Sequence, residues 1–222
     1  MRTVFLGMVL LWAALLITAC AENGSTDAQP IEVVVETALG NIVMEVYVDR
    51  APKTSDYFLN LVDLNEYDGA SFYRSGSPLN SALTSAAGGP RLIQGGLLYD
   101  FISGTEEKSL TDSGLRMLEE IETTEVTGLK HQYGTVSFAR DLWESGYVIP
   151  EIFICLGDLP QLDAHGRKKP DDRGFPAFAK VVEGMDVVEK IAGQETGGAT
   201  RFKAVDRQVL SEPVAILRAY RK

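Results

Sequence analysis

Eight short β-branched runs, separated by turn residues and interrupted by only two helical patterns, most limit the folds open to this chain. Residues 31–37 and 41–48 are rich in Val and Ile. Ala38-Leu39-Gly40 joins them, a hairpin signal with Gly at the turn. Further strands are expected over 70–74, 92–94, 134–139, 152–156, 178–182 and 208–218, with Phe72 and Arg74 aimed to opposite faces of theirs. A helix is expected from Pro52, a residue suited to a first helical turn. Tyr57, Phe58, Leu61, Val62 and Leu64 follow at helical spacing, and Tyr67-Asp68-Gly69 ends the segment. A shorter helix is expected over 185–191. The pattern predicts a mainly β fold, a closed antiparallel barrel capped at its ends by two α-helices.

Composition narrows the function. Of 222 residues, 45% are hydrophobic and 23% charged, an ordinary globular balance. A formal net charge of −10 argues against nucleic acid as a partner, since phosphate binding needs surplus basic charge. Two cysteines, Cys20 and Cys155, and two histidines, His131 and His165, support neither a Cys-rich zinc site nor a disulfide framework. No metal or cofactor is expected. No G-x-S-x-G elbow or Gly-rich phosphate loop occurs. Cys155 lies in an apolar run and is expected to be a lone buried thiol. Residues 106–125 carry seven acidic side chains against Lys108 and Arg116, and read as an exposed acidic face. Residues 163–175 have loop chemistry, and their interleaved cations speak against a calcium site.

The first residues read as an address. Met1-Arg2 start a mostly apolar stretch from Val4 to Ile17, too short to span a membrane comfortably and suited to a signal peptide. Leu16-Ile17-Thr18-Ala19-Cys20 resembles a bacterial lipobox. That resemblance implies a signal peptide over 1–19, lipidation of Cys20 and a polar tether over 20–30, and the remainder, 31–222, reads as a single β-rich domain. It implies a periplasm-facing lipoprotein of the bacterial cell envelope. Ala21, where aspartate is associated with inner-membrane retention, favours the outer membrane.

The order of motifs is more specific than any one of them. Asp49-Arg50-Ala51-Pro52-Lys53-Thr54 resembles the D-x-A-P-K-T segment of cyclophilins, the peptidyl-prolyl cis-trans isomerases. Phe72-Tyr73-Arg74, Ile93-Gln94-Gly95-Gly96, Ser137-Phe138-Ala139-Arg140, Phe153-Ile154, Leu162-Asp163 and Glu183-Gly184-Met185-Asp186 follow in that family's order. The resemblance covers roughly residues 31–219 and implies a closed eight-stranded antiparallel barrel with two helices. It also implies roles. Arg74 would stabilise the twisted prolyl amide, and Gln94 would hold the guanidinium and the substrate backbone. Tyr73, Leu92, Ala139, Glu151, Phe153 and Leu162 would contact proline-containing segments of exported proteins.

Several positions depart from the family pattern. Tyr73 replaces a common histidine, Arg91 an aromatic, Glu151 a glutamine and Gln161 a tryptophan. The family's pocket histidine has no match, and His165 is expected to lie away from the site. Arg91 and Glu151 are expected to pair if they come close, making the pocket more polar and turnover weaker or more selective. The alternative function is a catalytically weak module that holds proline-containing segments as a chaperone or scaffold.

Overall fold

The computed structural model describes residues 29–76, 91–105, 114–142, 145–168 and 171–222. Cys20, the signal peptide, most of the tether and residues 106–113 of the acidic segment lie outside them.

Eight strands form the body: β1 (Ile31–Thr37), β2 (Gly40–Val46), β3 (Ser71–Gly76), β4 (Leu92–Gly96), β5 (Thr135–Arg140), β6 (Val148–Cys155), β7 (Ala177–Glu183) and β8 (Val209–Arg221). They close in the order β1-β2-β7-β5-β6-β4-β3-β8, and β8 pairs back onto β1. Every pairing is antiparallel. Closure removes the exposed strand edges that an open sheet would leave. Phe72, Phe138, Phe178, Ile93, Ile152 and Ile154 fill the interior, so this is a packed core and not a channel.

Two longer helices, α1 (Pro52–Asp63) and α4 (Met185–Ala192), lay their apolar faces on that core. Phe58 of α1 packs 4.9 Å, centroid to centroid, from Phe178. Two short helices add to the expected pair: α2 (Tyr99–Ser103) and α3 (Thr124–Thr127).

The acidic segment does more than face water. The N-cap of α1 is Ala51, whose side chain cannot satisfy the helix's first N–H groups. Glu122 supplies that function from a distant part of the chain. Its carboxylate accepts from Lys53 N (3.2 Å), Thr54 N (2.7 Å) and Thr54 Oγ1 (2.7 Å). Lys53 also pairs with Glu120. A carboxylate at a helix N-terminus meets both the orphan donors and the positive end of the dipole.

Candidate active site

Alternation places the site on the outside of the barrel. In β6, Ile152 and Ile154 point into the core, while Glu151, Phe153 and Cys155 face outward. Their register partners on β4 are Gly96, Gln94 and Leu92. Gln94 in turn opposes Arg74 of β3, and Phe153 opposes Ser137 of β5. One row of side chains, Arg74–Gln94–Phe153–Ser137, therefore crosses four strands on one face. β6 is buried along its whole length: Leu159, Leu162 and Phe175 join Leu92, Phe153 and Cys155 at one end of this outer face, and Leu98 and Ala139 join Ile149 at the other.

Strict alternation would keep Phe72 and Arg74 on one side, as residues two apart. They part because the register of β3 shifts between them against both β4 and β8. This bulge sends Phe72 into the core and Arg74 to the outer row. The two glycines after Gln94 permit the close packing around it. A Cβ on Gly95 would collide with Ser71 O and Phe72 Cα, and one on Gly96 with Pro150 O and the Glu151 carboxylate.

Arg74, Gln94, Tyr73, Leu92, Ala139, Glu151, Phe153 and Leu162 all line one cleft. Arg74 Nη1 donates to Gln94 Oε1 at 2.6 Å, and its Nε and Nη2 donate to Gln208 Oε1 at 3.1 and 2.8 Å. Gln94 and Gln208 are neutral amides, which orient the guanidinium through hydrogen bonds alone. Burial lowers the Arg74 pKa to about 10, so it remains a cation at neutral pH. Gln208 was legible only as the start of the last strand. Its side chain reaches the site because the turn at Arg207 (φ 60°) and the bond from Ser75 N to Gln208 O bring it beside β3.

Behind Arg74 runs a buried relay. Gln94 Nε2 donates to Tyr73 Oη at 3.2 Å, and Tyr73 Oη donates to Glu151 Oε2 at 2.5 Å. Glu151 Oε1 accepts from Leu98 N at 2.7 Å. Burial pushes the Glu151 carboxyl up to about 8, against the pull of these donors. The expected Arg91–Glu151 pair is not formed. Gly96, the partner of Glu151, lies five strand positions beyond Arg91, roughly 16 Å along β4. Arg91 Nη2 instead donates to Asp158 O at 2.8 Å.

His131, unassigned by sequence, supports the floor. It stacks on Phe153 at 5.7 Å, its Nδ1 lies 2.7 Å from Asp163 Oδ1 and its Nε2 3.1 Å from Ser137 Oγ. The chain Asp163–His131–Ser137 has the bonding order of a hydrolytic triad, but Ser137 is fully buried and offers no nucleophile. Burial lowers the His131 pKa, which favours a neutral ring donating to Asp163 and accepting from Ser137. His165 sits apart as expected, exposed between Glu125 (3.1 Å) and Asp172 (3.2 Å).

The family model described as "Cyclophilin type peptidyl-prolyl cis-trans isomerase/CLD" matches residues 32–220. Peptidyl-prolyl cis-trans isomerase cyp18 of Streptomyces antibioticus is 32% identical over 182 residues, 82% of this chain and 95% of that protein. Peptidyl-prolyl cis-trans isomerase B of Escherichia coli is 30% identical over 178 residues, 80% of this chain and 94% of its own length. A solved Cryptosporidium parvum cyclophilin-type isomerase superposes with a TM-score of 0.60 over 87% of this chain and 98% of that one. At 18% identity that structure speaks for the fold alone. The chain belongs to the cyclophilin-type peptidyl-prolyl cis-trans isomerases, a family of enzymes.

Proposed function

We propose that this chain accelerates cis-trans rotation of X-Pro bonds in exported proteins, with Arg74 stabilising the twisted amide beside an apolar proline pocket. The barrier to rotation is ~18–20 kcal/mol, from the double-bond character of C–N. Left alone, an X-Pro bond turns over in tens of seconds or more. No bond need be made or broken. As the amide twists, its nitrogen becomes pyramidal and regains a lone pair that the planar ground state lacks. A guanidinium already fixed by Gln94 and Gln208 can donate to that lone pair, which stabilises the transition state selectively. Leu92, Phe153, Leu162 and Phe175 offer the ring an apolar seat. The observation that carries this reading is the buried Arg74 cation on the same cleft as that seat.

A protease-coupled assay on X-Pro peptides tests it. Arg74→Ala is expected to lower kcat/KM about 10²–10³-fold, as for loss of one preorganised donor elsewhere. An unchanged rate would overturn the mechanism. A second reading, a module that holds prolyl segments without turnover, draws on the buried Glu151 beneath the site. It predicts peptide-induced NMR shifts without accelerated cis-trans exchange.

The export half of the proposal rests on the run from Met1 to Cys20. Cys20→Ser is expected to block lipidation and move the chain out of the membrane fraction. Unchanged fractionation would overturn the anchor and leave the isomerase reading standing.

A further inference from the structure

The cleft holds three arginines, Arg74, Arg140 and Arg167, against one carboxyl group, Glu151, in a chain whose net charge is −10. Glu151 is already taken by Tyr73 and Leu98. Arg140 is also engaged: both nitrogens of its fork meet Asp171 (3.0 and 2.7 Å), and it donates further to Gly174 O and Gly146 O. Asp171 is shared again with Arg173.

Arg167 is different. Its guanidinium carbon lies over the Phe175 ring, 4.6 Å from the centroid, in a cation–π contact with one wall of the apolar seat. Its Nε and Nη2 are buried and have no hydrogen-bond partner among the described residues. Attraction to the ring face does not supply a guanidinium's N–H donors with acceptors. Buried charged donors without an acceptor are costly, and a fork of this shape matches a carboxylate.

We infer that Arg167 selects prolyl segments carrying a carboxylate next to the proline, either on the following side chain or as the α-carboxylate of a terminal proline. The inference rests on the proline ring occupying the Phe153–Leu162–Phe175 seat, as in the function proposed above. With the ring there, Arg74 reaches the amide on the Gln94 side and Arg167 waits on the Phe175 side. The overall negative charge opposes acidic ligands only at long range, where salt screens it. Contact inside the cleft is local.

The test compares Ala-Ala-Pro-Glu with Ala-Ala-Pro-Gln, both amidated, and Ala-Ala-Pro acid with its amide. Binding to the full chain is read by fluorescence anisotropy and turnover by NMR exchange between the cis and trans forms of the peptide. The expected result is about tenfold tighter binding of at least one carboxylate peptide than of its neutral partner. The pair that shows it identifies the source of the carboxylate. Raised salt and Arg167→Gln should bring that ratio toward one, whereas Arg167→Lys should keep part of it. A ratio near one in the natural chain, or a ratio that Arg167→Gln leaves unchanged, overturns the inference. If Arg167→Gln does not fold, the natural ratio and Arg167→Lys still decide. Carboxylate preference in binding without turnover would overturn only the catalytic reading, and turnover without preference only this one.

Discussion

Arg74 donates to Gln94, Gln94 to Tyr73 and Tyr73 to Glu151, so a single donor direction runs from the cleft to a buried carboxylate. An arginine is donor-only, which fixes Gln94 with its oxygen toward the guanidinium and its amide toward Tyr73. That arrangement needs Tyr73 to donate onward, and hence needs an acceptor at 151. Protonated Glu151 would compete for donation to Tyr73 and loosen the hold on Arg74. With Glu151 raised to about 8, turnover of a peptide without ionisable groups should climb with pH to a plateau above that value. In Glu151→Gln, which keeps an acceptor oxygen but cannot ionise, the profile should lie flat, and a rise that persists in the variant would contradict the relay. Stability carries the opposite sign. A folded-state pKa above the ordinary 4.5 means that the native state holds the proton more tightly. Glu151 therefore favours folding most below pH 4.5, and its contribution declines as pH rises to about 8. Denaturant titrations across that window, compared between the natural chain and Glu151→Gln, would read the slope.

At the scale of elements, the cleft depends on contacts between pieces far apart in the chain. Helix α1 begins at a residue with no capping side chain, and Glu122, 68 residues from Thr54, supplies the cap. Glu122→Ala is expected to cost about 1 kcal/mol, as for loss of other N-terminal caps, and equilibrium urea unfolding would measure it. The bulge in β3 is the second such contact. It is seated on Gly95, where a Cβ would meet backbone atoms of β3 that cannot swing aside. Gly95→Ala should part β3 from β4 and displace Arg74, with a lowered melting temperature and lost isomerisation together. A variant that kept full activity and a normal melting temperature would count against the bulge as the device that aims Arg74.

For the whole molecule, the barrel leaves one thiol among the described residues, Cys155, fully buried in the outer cluster beneath the cleft. Burial pushes its pKa up, so it stays a protonated, unreactive thiol in the native state. In the Cys20→Ser chain, labelling by a thiol reagent should therefore occur only as fast as the fold opens. Fast stoichiometric labelling of native protein would show that the cluster around Phe153 and Leu162 is not closed. The same measurement made with saturating prolyl peptide should give slower labelling, since a ligand of the native cleft stabilises it against opening.

The strand and helix pattern was readable because it is periodic. All eight strands and both longer helices lie where β-branched runs and helical spacing placed them, with ends moved by a few residues. The eight residues proposed to line the site, from Tyr73 to Leu162, were legible only through the order of family motifs; seven sit on neighbouring strands, Leu162 sits on the segment that covers them, and all meet in one cleft. What the linear order could not disclose was every pairing made across loops. Gln208 at Arg74, Glu122 on α1, His131 beneath Phe153 and Arg167 over Phe175 belong to this group, as does the separation of Arg91 from Glu151. Periodicity records which face of its own element a side chain takes, a local property written in the order of residues. Which distant group meets that face is set by barrel closure and by the path of the covering loop, and those exist only once the chain has folded.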